Sequence, residues 1–186
     1  KCATELLTIN SGTILFDKQS FHNIRDDFAI CFDTPPLYKH LSCEDNLAVL
    51  YGIDNKVMER KELLNAIGIS DYMQKNSAKK LSYGQSHRLG IAGAILRKPK
   101  YLILDEPDLG LDPIAWEVVQ NEILKLKERG STIIITGQNF MQLEDLVDHV
   151  CMLSKNKIIA NMSVNNFLDK YCNNARSLKN AFLNAE

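Results

Sequence analysis

Two adjacent carboxylates, Asp105 and Glu106, follow the apolar run YLIL (101–104). A short continuous apolar run is typical of a strand buried on both faces, and open α/β sheets bind ligands at the carboxyl ends of their strands. One carboxylate at that edge can bind Mg²⁺, while its neighbour can polarise a water molecule for in-line attack on a phosphate. The alternative is that these acids only end the strand and cap the helix that follows.

The segment LSYGQ (81–85) predicts the start of a helix that runs to about Leu96. Ser82 is a natural N-cap, and the free N–H groups and positive dipole end of a helix N-terminus make an anion site. Gly84 would let a phosphate approach closely. For the pentapeptide alone an ordinary capped helix is the better explanation. The combination with the Asp-Glu-Pro strand end and LGLDP (109–113), which follow it, favours a nucleotide site.

Strands and helices alternate along most of the chain, which predicts an α/β domain with a largely parallel sheet. The predicted strands, of which the last two are buried, are TILFD (13–17), FAICFD (28–33), YLILDE (101–106) and STIIITG (131–137). VCMLS and KIIAN predict a hairpin around residues 155–157. The predicted helices lie at 113–129, ended by Gly130, at 142–148, and at 1–8, where a helix would end with Leu6 and Leu7 on its apolar side.

A helical block interrupts this alternation. The segments EDNLAVLYGI, VMERKELLNAIGI and GQSHRLGIAGAIL repeat apolar residues at three- and four-residue spacing, as amphipathic helices do. We interpret residues 44–97 as a helical sub-domain inserted into a core that is formed by residues 1–43 and 98–186.

Composition excludes several classes of protein. The 186 residues carry a formal net charge of -1, so nothing indicates nucleic acid or an acidic membrane surface as a partner. The five cysteines include no C-x-x-C pair, which argues against a disulfide framework and a zinc site and suits a reducing compartment. No apolar run approaches the ~18 residues that cross a bilayer. Another polypeptide would have to supply any path through a membrane.

The motifs resemble those of the ATP-binding domain of ABC transporters. LSYGQ (81–85) is similar to the family's signature motif, YLILDEP (101–107) to its Walker B motif and LGLD (109–112) to its D-loop. The resemblance covers nearly the whole chain in the family's order. The other matching segments are SGTILFD (11–17), DTPPLYKHLSCEDNL (33–47) at the Q-loop, ITGQNFMQLEDLVDHVCMLSKNKII (135–159) at the switch strand and hairpin, and SLKNAFL (177–183). DTPPLY also resembles the loop of small exporters, including peptide and lantibiotic-type systems.

The resemblance implies a P-loop NTPase-like fold and a head-to-tail dimer that encloses two ATP molecules. Asp105 would then bind Mg²⁺, and Glu106 would polarise the attacking water. Asp112 would communicate across the dimer. The residues that would contact the γ-phosphate of the ATP held by the other subunit are Ser82, Gly84 and Gln85.

The phosphate-binding loop of such proteins, G-x-x-x-x-G-K-[ST], does not occur in these residues. The position of SGTILFD (11–17) implies that this loop lies upstream of Lys1, together with the strand that carries the adenine-stacking aromatic residue. Either the residues that carry the loop exist but are disordered, or the chain is truncated. Its start so close after the expected position of the loop favours disordered residues. We expect residues 1–186 alone to have no appreciable affinity for MgATP and to be inactive.

Three positions depart from the family's pattern. Tyr83 replaces the middle glycine of the signature, a mild change because Ser82 and Gly84 are kept. Asp33 stands at the glutamine position of the Q-loop, where its carboxylate can bind Mg²⁺ or only cap the following turn. Gln138 takes the switch-histidine position and cannot accept a proton at neutral pH. This predicts slow hydrolysis or a weaker partner in an asymmetric pair.

Other polar residues near the motifs are assigned no chemistry. The histidines, which are isolated in the sequence and predicted to have surface or helix-end roles, are His22, His40, His87 and His149. Lys79, Lys80 and Arg88 flank the signature and either attract phosphates across a dimer interface or form a solvated basic face. Trp116 is predicted to pack.

We therefore predict the ATP-binding subunit of an ABC transporter, peripheral at the cytoplasmic face of a membrane. Its partners would be a second ATP-binding subunit, in a homo- or heterodimer, and a transmembrane permease subunit, with no nucleic acid. The first alternative is a regulatory module that binds ATP with little turnover, favoured by Gln138, Asp33 and the missing loop. The second is a soluble ABC ATPase of DNA repair or translation. A single unduplicated domain without a basic surface, and LDEP followed directly by LGLDP, weigh against it.

Overall fold

The computed structural model describes residues 2–53, 57–172 and 176–185. The strands in these residues are β1 (Phe28–Cys31), β2 (Tyr101–Asp105), β3 (Thr132–Thr136), β4 (His149–Ser154) and β5 (Lys157–Ser163). The α-helices in these residues are α1 (Phe21–Ile24), α2 (Cys43–Tyr51), α3 (Val57–Ala66), α4 (Asp71–Gln74), α5 (Tyr83–Leu96), α6 (Pro113–Glu128), α7 (Phe140–Leu143), α8 (Val164–Tyr171) and α9 (Leu178–Ala185).

The first three strands form a parallel sheet in the order β1-β2-β3. Cys31 lies opposite Leu104, and Asp105 lies opposite Thr136, so the carboxyl ends of the strands meet at one edge. Helices connect each strand to the next, as parallel pairing requires. This arrangement confirms the predicted α/β architecture with a parallel sheet.

Strand β2 is covered on both faces, as its apolar run predicts. Leu102 and Leu104 have no exposed surface and lie in the main hydrophobic core with Leu89 of α5. Alternate residues of a strand point to opposite faces. Tyr101 therefore lies on the other face of β2 and belongs to a separate aromatic cluster. Its ring stacks on Phe28 with 4.7 Å between the ring centroids. The two clusters together fix the strand that ends in the candidate carboxylates.

The predicted burial of the strand at 131–137 is wrong. Strand β3 forms within that segment, but its residues alternate between exposed and half-buried, and Ile134 is 45% exposed. In the described part of the chain β3 ends the sheet order and pairs only with β2. An apolar run becomes a fully buried strand only where other elements cover it on both faces, and β3 lacks that cover in the described residues.

The predicted strand at 13–17 is not formed. Phe16 makes only an isolated bridge to Gln19, through reciprocal backbone hydrogen bonds of 2.9 Å. Asp17 and Lys18 between them have φ angles of 48° and 67°, so the chain reverses in a tight turn. The Phe16 ring packs edge-on against Phe28 at 4.8 Å between centroids. The apolar residue therefore fills the aromatic cluster without forming a strand.

The predicted helix at residues 1–8 is also wrong. Residue 1 lies outside the described residues, and Cys2–Thr4 is a single 3-10 turn. Leu6 and Leu7 are 60% and 55% exposed, so they do not form a packed apolar side. Two adjacent leucines do not make a helical stripe, which needs apolar residues three and four positions apart.

The helical block predicted at residues 44–97 is present as α2 to α5. Helix α5 contains three glycines, and the two in its interior lie at close contacts. A Cβ atom on Gly93 would lie 2.4 Å from the ring of Tyr51 in α2, and one on Gly90 would lie 2.5 Å from Pro35. Helix α5 therefore packs directly on α2 and on the segment after β1. One hydrophobic core joins this block to the sheet.

The C-terminal third follows the predictions except in the burial of β3 and in the position of one helix. Helix α6 and the antiparallel hairpin β4–β5 are confirmed. The helix predicted at 142–148 is wrong in position, because α7 occupies Phe140–Leu143. A hydrogen bond of 3.0 Å from the Leu146 N–H to the Leu143 carbonyl continues the turn toward β4. Within the described residues, no helix combines the length and apolarity that crossing a membrane requires.

Candidate functional site

The carboxylates Asp105 and Glu106 lie at the carboxyl edge of the sheet, where β2 ends beside β3. The hydroxyl of Thr136, the last residue of β3, donates a short hydrogen bond to the Asp105 carboxylate. The Glu106 N–H donates to the Thr136 carbonyl at 3.1 Å and contacts its hydroxyl at 3.2 Å. Parallel register thus brings the two strand ends into one polar cluster.

Glu106 has a left-handed backbone conformation, with a φ of 48°. Such a conformation is uncommon for a residue other than glycine and persists only where the surroundings hold it. The bonds to Thr136 hold the Glu106 N–H, and the Leu109 N–H donates to the Glu106 carbonyl at 3.1 Å. The backbone therefore fixes the point from which this carboxylate extends.

Gln138 joins the cluster through its side chain. Its Nε2 donates to Oε1 of Glu106 at 3.1 Å. The sequence places these residues on different segments, and the structure brings Asp105, Glu106 and Gln138 together at one edge. An open cavity of about 530 Å³ lies beside them, and its polar lining includes Asp108 and Lys179.

Lys179 is a residue that sequence reasoning missed. It lies in α9, close to the end of the chain, and no pattern in SLKNAFL relates it to Glu106. The ring of Phe182 in the same helix packs against the ring of Phe140, tilted by 30° with 4.4 Å between the centroids, which places α9 beside the cavity. Only the packing of α9 against Phe140 shows that the positively charged Lys179 lies beside the cavity.

The N-terminus of α5 is closed by a capping box. Oγ of Ser82 accepts from the Gln85 N–H at 3.2 Å, and Oε1 of Gln85 accepts from the Ser82 N–H at 2.9 Å. The N–H groups of Tyr83 and Gly84 belong to the first turn and have no intrahelical acceptor. The predicted helix start is confirmed. Its first turn retains the donors that an anion would need.

We expect Ser82→Ala to lower the free energy of unfolding by about 1 kcal/mol, because it removes the N-cap acceptor of α5. The measurement is urea denaturation followed by circular dichroism. Ser86→Ala, one turn further along α5, is the matched control and should change the free energy by about 0.5 kcal/mol or less. Equal losses in the two variants would contradict a capping role.

Tyr83 links the start of α5 to Asp33, a contact that the sequence did not indicate. The Tyr83 hydroxyl donates to the Asp33 carbonyl at 2.9 Å. Asp33 is exposed in the loop that follows β1. Two of the three departures from the family pattern therefore touch each other, and the loop carrying Asp33 is tied to the helix carrying Ser82.

Residues 109–112, which we term the D-loop, are held by the same helix. Nδ1 of His87 lies 3.0 Å from the Leu109 carbonyl oxygen. Arg88 donates to the Gly110 carbonyl from Nε at 3.1 Å and from Nη2 at 2.7 Å, and to the Ile67 carbonyl at 3.1 Å. Asp112 then caps α6 by accepting from the Ala115 N–H at 2.9 Å.

Two sequence expectations are corrected at this loop. His87 was expected at the surface or a helix end, but it is fully buried. Arg88 was expected either to attract phosphates or to form a solvated basic face, but backbone carbonyls engage its guanidinium. Lys79 is exposed, as a solvated basic face would require, and Trp116 is buried at 4% exposure, which confirms its packing role.

The cysteine nearest the cluster is not a nucleophile. Burial, together with the negative charges of Asp105 and Asp33, raises the pKa of the Cys31 thiol to about 12. The thiol therefore stays protonated at neutral pH. Its place is structural, at the end of β1 and in the main core.

The carboxylates fit a magnesium ion better than an all-protein metal centre. No group of three or more His, Cys, Asp or Glu side chains in the described part of the chain is arranged to hold a metal. Mg²⁺ usually takes only one or two carboxylates and completes its shell with waters and substrate phosphates. Asp105, half-buried at the sheet edge, is suited to that smaller share.

Comparisons with known proteins agree on one family. The sequence model of the family described as ABC transporter matches residues 1–109. The chain is 35% identical over 164 residues to the lantibiotic transport ATP-binding protein SrtF of Streptococcus pyogenes, covering 86% of this chain and 70% of that protein. It is 35% identical over 162 residues to the bacitracin transport ATP-binding protein BcrA of Bacillus licheniformis, covering 83% of this chain and 52% of that protein.

A solved structure supports the same fold. The structure of an ATP-binding subunit of an ABC transporter matches with a TM-score of 0.86 at 23% identity, over 99% of this chain and 80% of that one. The fold is therefore that of a P-loop NTPase, with a parallel sheet flanked by helices. This confirms the fold expected from the sequence.

Proposed function

The chain belongs to the ABC transporter family of ATP-binding proteins, and we propose that the protein containing it hydrolyses ATP in a head-to-tail dimer to drive transport through a separate membrane subunit. The observation that carries the proposal is the pair Asp105 and Glu106 at the carboxyl edge of the sheet, with Gln138 hydrogen-bonded to Glu106. The carboxyl edge is where parallel α/β sheets bind nucleotides.

Glu106 is the catalytic base in this proposal. Its carboxylate accepts a hydrogen bond from the attacking water and takes up the proton as the water oxygen bonds to the γ-phosphorus. The bond from the γ-phosphorus to the bridging oxygen breaks, and ADP leaves with that electron pair. Asp105 would hold Mg²⁺, which would supply positive charge to offset the charge of the phosphates. The hydrogen bond from Gln138 orients the Glu106 carboxylate.

The second half of the proposal concerns the first turn of α5. The residues proposed to contact the γ-phosphate of the ATP held by the other subunit are Ser82, Gly84 and Gln85. The free N–H groups and positive dipole end of this helix support such a contact. Asp112 would communicate across the dimer, and Asp33 would occupy the Q-loop position beside the same helix.

Each chain would therefore carry parts of two sites. The sequence of residues 1–186 holds no phosphate-binding loop, so we propose that these residues alone bind MgATP too weakly to turn it over. We propose that residues 44–97 form a helical sub-domain and that residues 1–43 and 98–186 form the core. We also place the protein peripherally at the cytoplasmic face of a membrane.

The direct test compares two samples. Full-length protein should release phosphate from MgATP, faster in the presence of its permease, whereas residues 1–186 should give no calorimetric binding signal with MgATP. Absence of turnover in the full-length protein with its permease would remove the transport proposal. Because the relatives are named for lantibiotic and bacitracin transport, those are the first cargoes to test.

We expect Gln138→His to raise the turnover of the full-length protein by roughly tenfold. Glutamine can donate to Glu106 and to phosphate oxygens but cannot take up a proton, whereas imidazole can do both. Proton transfer by a positioned side chain typically raises the rate of the chemical step by about 10²–10⁴-fold. Glu106 already supplies part of this increase, so the expected gain from the histidine is smaller. The assay is steady-state phosphate release.

Gln138→Ala is the control, since it removes the hydrogen bond to Glu106 without adding a base. Its turnover should fall below that of the wild type. No gain in the histidine variant would favour the alternative function, a regulatory module in which this position does not limit hydrolysis. The alternative is favoured by the residue type alone, because glutamine at this position cannot take up a proton.

A further inference from the structure

We infer that His87 is a positioning residue for the D-loop, residues 109–112, because its ring N–H holds the Leu109 carbonyl. The effect on ATP turnover rests on the proposed function, whereas the effect on the loop does not. His87 touches no substrate in this proposal and acts through the backbone that it holds.

The geometry assigns the proton on the His87 ring. Nδ1 lies 3.0 Å from the Leu109 carbonyl oxygen, which can only accept, so Nδ1 carries a hydrogen. Nε2 is buried with no hydrogen-bond partner. A buried donor without an acceptor is costly, which favours the tautomer with its hydrogen on Nδ1. The ring is therefore a directed donor.

Water cannot easily replace this donor. His87 has no exposed surface, and the Tyr83 ring lies over it with 6.4 Å between centroids and 27° between planes. A Cβ atom on Gly110 would lie 3.2 Å from the Cα of Gly84, so the loop backbone approaches the helix closely. The D-loop can leave α5 only by opening this packing.

The held carbonyl belongs to a residue that also contacts the catalytic base. The Leu109 N–H donates to the Glu106 carbonyl at 3.1 Å. Leu109 therefore joins His87 of α5 to the backbone of Glu106. Arg88 holds the next carbonyl, that of Gly110. Loss of the His87 contact would loosen the loop between Glu106 and Asp112 without removing any group that binds ATP.

The test compares two variants of the full-length protein. His87→Leu introduces an apolar side chain of similar size that has no donor, whereas His87→Asn offers an amide N–H near the position of Nδ1. Hydrogen exchange at the Leu109 and Leu111 amides should rise roughly threefold to tenfold in the leucine variant. The kcat should fall while KM for MgATP stays within about twofold. The asparagine variant should recover both values toward the wild type.

His149→Leu is the matched control, because His149 is exposed on the hairpin and bonds to Asn161. It should change neither readout. Unchanged exchange in His87→Leu, or equal losses in the leucine and asparagine variants, would overturn the inference. If His87→Leu fails to fold, a long-range ¹H–¹⁵N spectrum of the wild type can identify which ring nitrogen of His87 carries the hydrogen. A hydrogen on Nε2 alone would contradict the inference. If the wild type lacks turnover, the proposed function fails and the exchange data still test His87.

Discussion

Glu106→Gln is expected to lower the ATP turnover of the full-length protein by about 10²–10⁴-fold, the share that a positioned general base contributes. Glutamine has the same length and shape as glutamate but cannot accept the proton of the attacking water. The backbone bonds from Glu106 to Thr136 do not involve the side chain and should persist. Folding should therefore be retained, and the change should fall on kcat.

Three measurements separate this loss from a folding or binding defect. Steady-state phosphate release gives kcat, MgATP titration calorimetry gives the affinity, and urea denaturation gives the free energy of unfolding. Glu117→Gln, which neutralises an exposed acid on α6, is the matched control and should keep wild-type turnover. A Glu106→Gln variant within about tenfold of the wild type would show that another group accepts the proton.

Local sequence signals predicted the parts of this molecule that depend on neighbours along the chain. The apolar run before Asp105 gave a strand buried on both faces. LSYGQ gave a capped helix because Ser82 and Gln85 are three positions apart, which is the spacing of a capping box. The hairpin β4–β5 followed from two apolar runs separated by Lys155 and Asn156.

Predictions failed where distant packing decides the outcome. TILFD has the composition of a strand, but the left-handed φ angles at Asp17 and Lys18 reverse the chain so that Phe16 reaches the aromatic cluster. TIIIT forms a strand, yet Ile134 is exposed because no element of the described residues covers that face of β3. Composition indicates that a segment can form a strand, whereas the burial of its side chains depends on the elements that pack beside it.

The candidate site divides in the same way. Asp105 and Glu106 could be identified because a strand end is a local feature. The contact of Tyr83 with Asp33 joins residues 50 positions apart, and that of His87 with Leu109 spans 22 positions. Single-sequence patterns carry no information about such pairs. His87 was therefore expected at the surface or at a helix end, although it is buried against the D-loop.

Leu102→Ala is expected to lower the free energy of unfolding by about 2–5 kcal/mol, the range for removing a large apolar side chain from a packed core. Leu102 has no exposed surface and lies in the strand between β1 and β3. The cavity would open under both neighbouring strands, which limits its collapse. Urea denaturation should show a lower midpoint at an unchanged slope.

Leu153→Ala is the matched control, because it makes the same substitution in a strand at a residue that is 68% exposed. It should cost about 0.5 kcal/mol or less. A similar loss at both positions would mean that the sheet around β2 is not the stable part of the fold. A large difference would instead place the candidate carboxylates at the end of a firmly held strand. The preorganised geometry that hydrolysis needs would then come from the same burial that stabilises the chain.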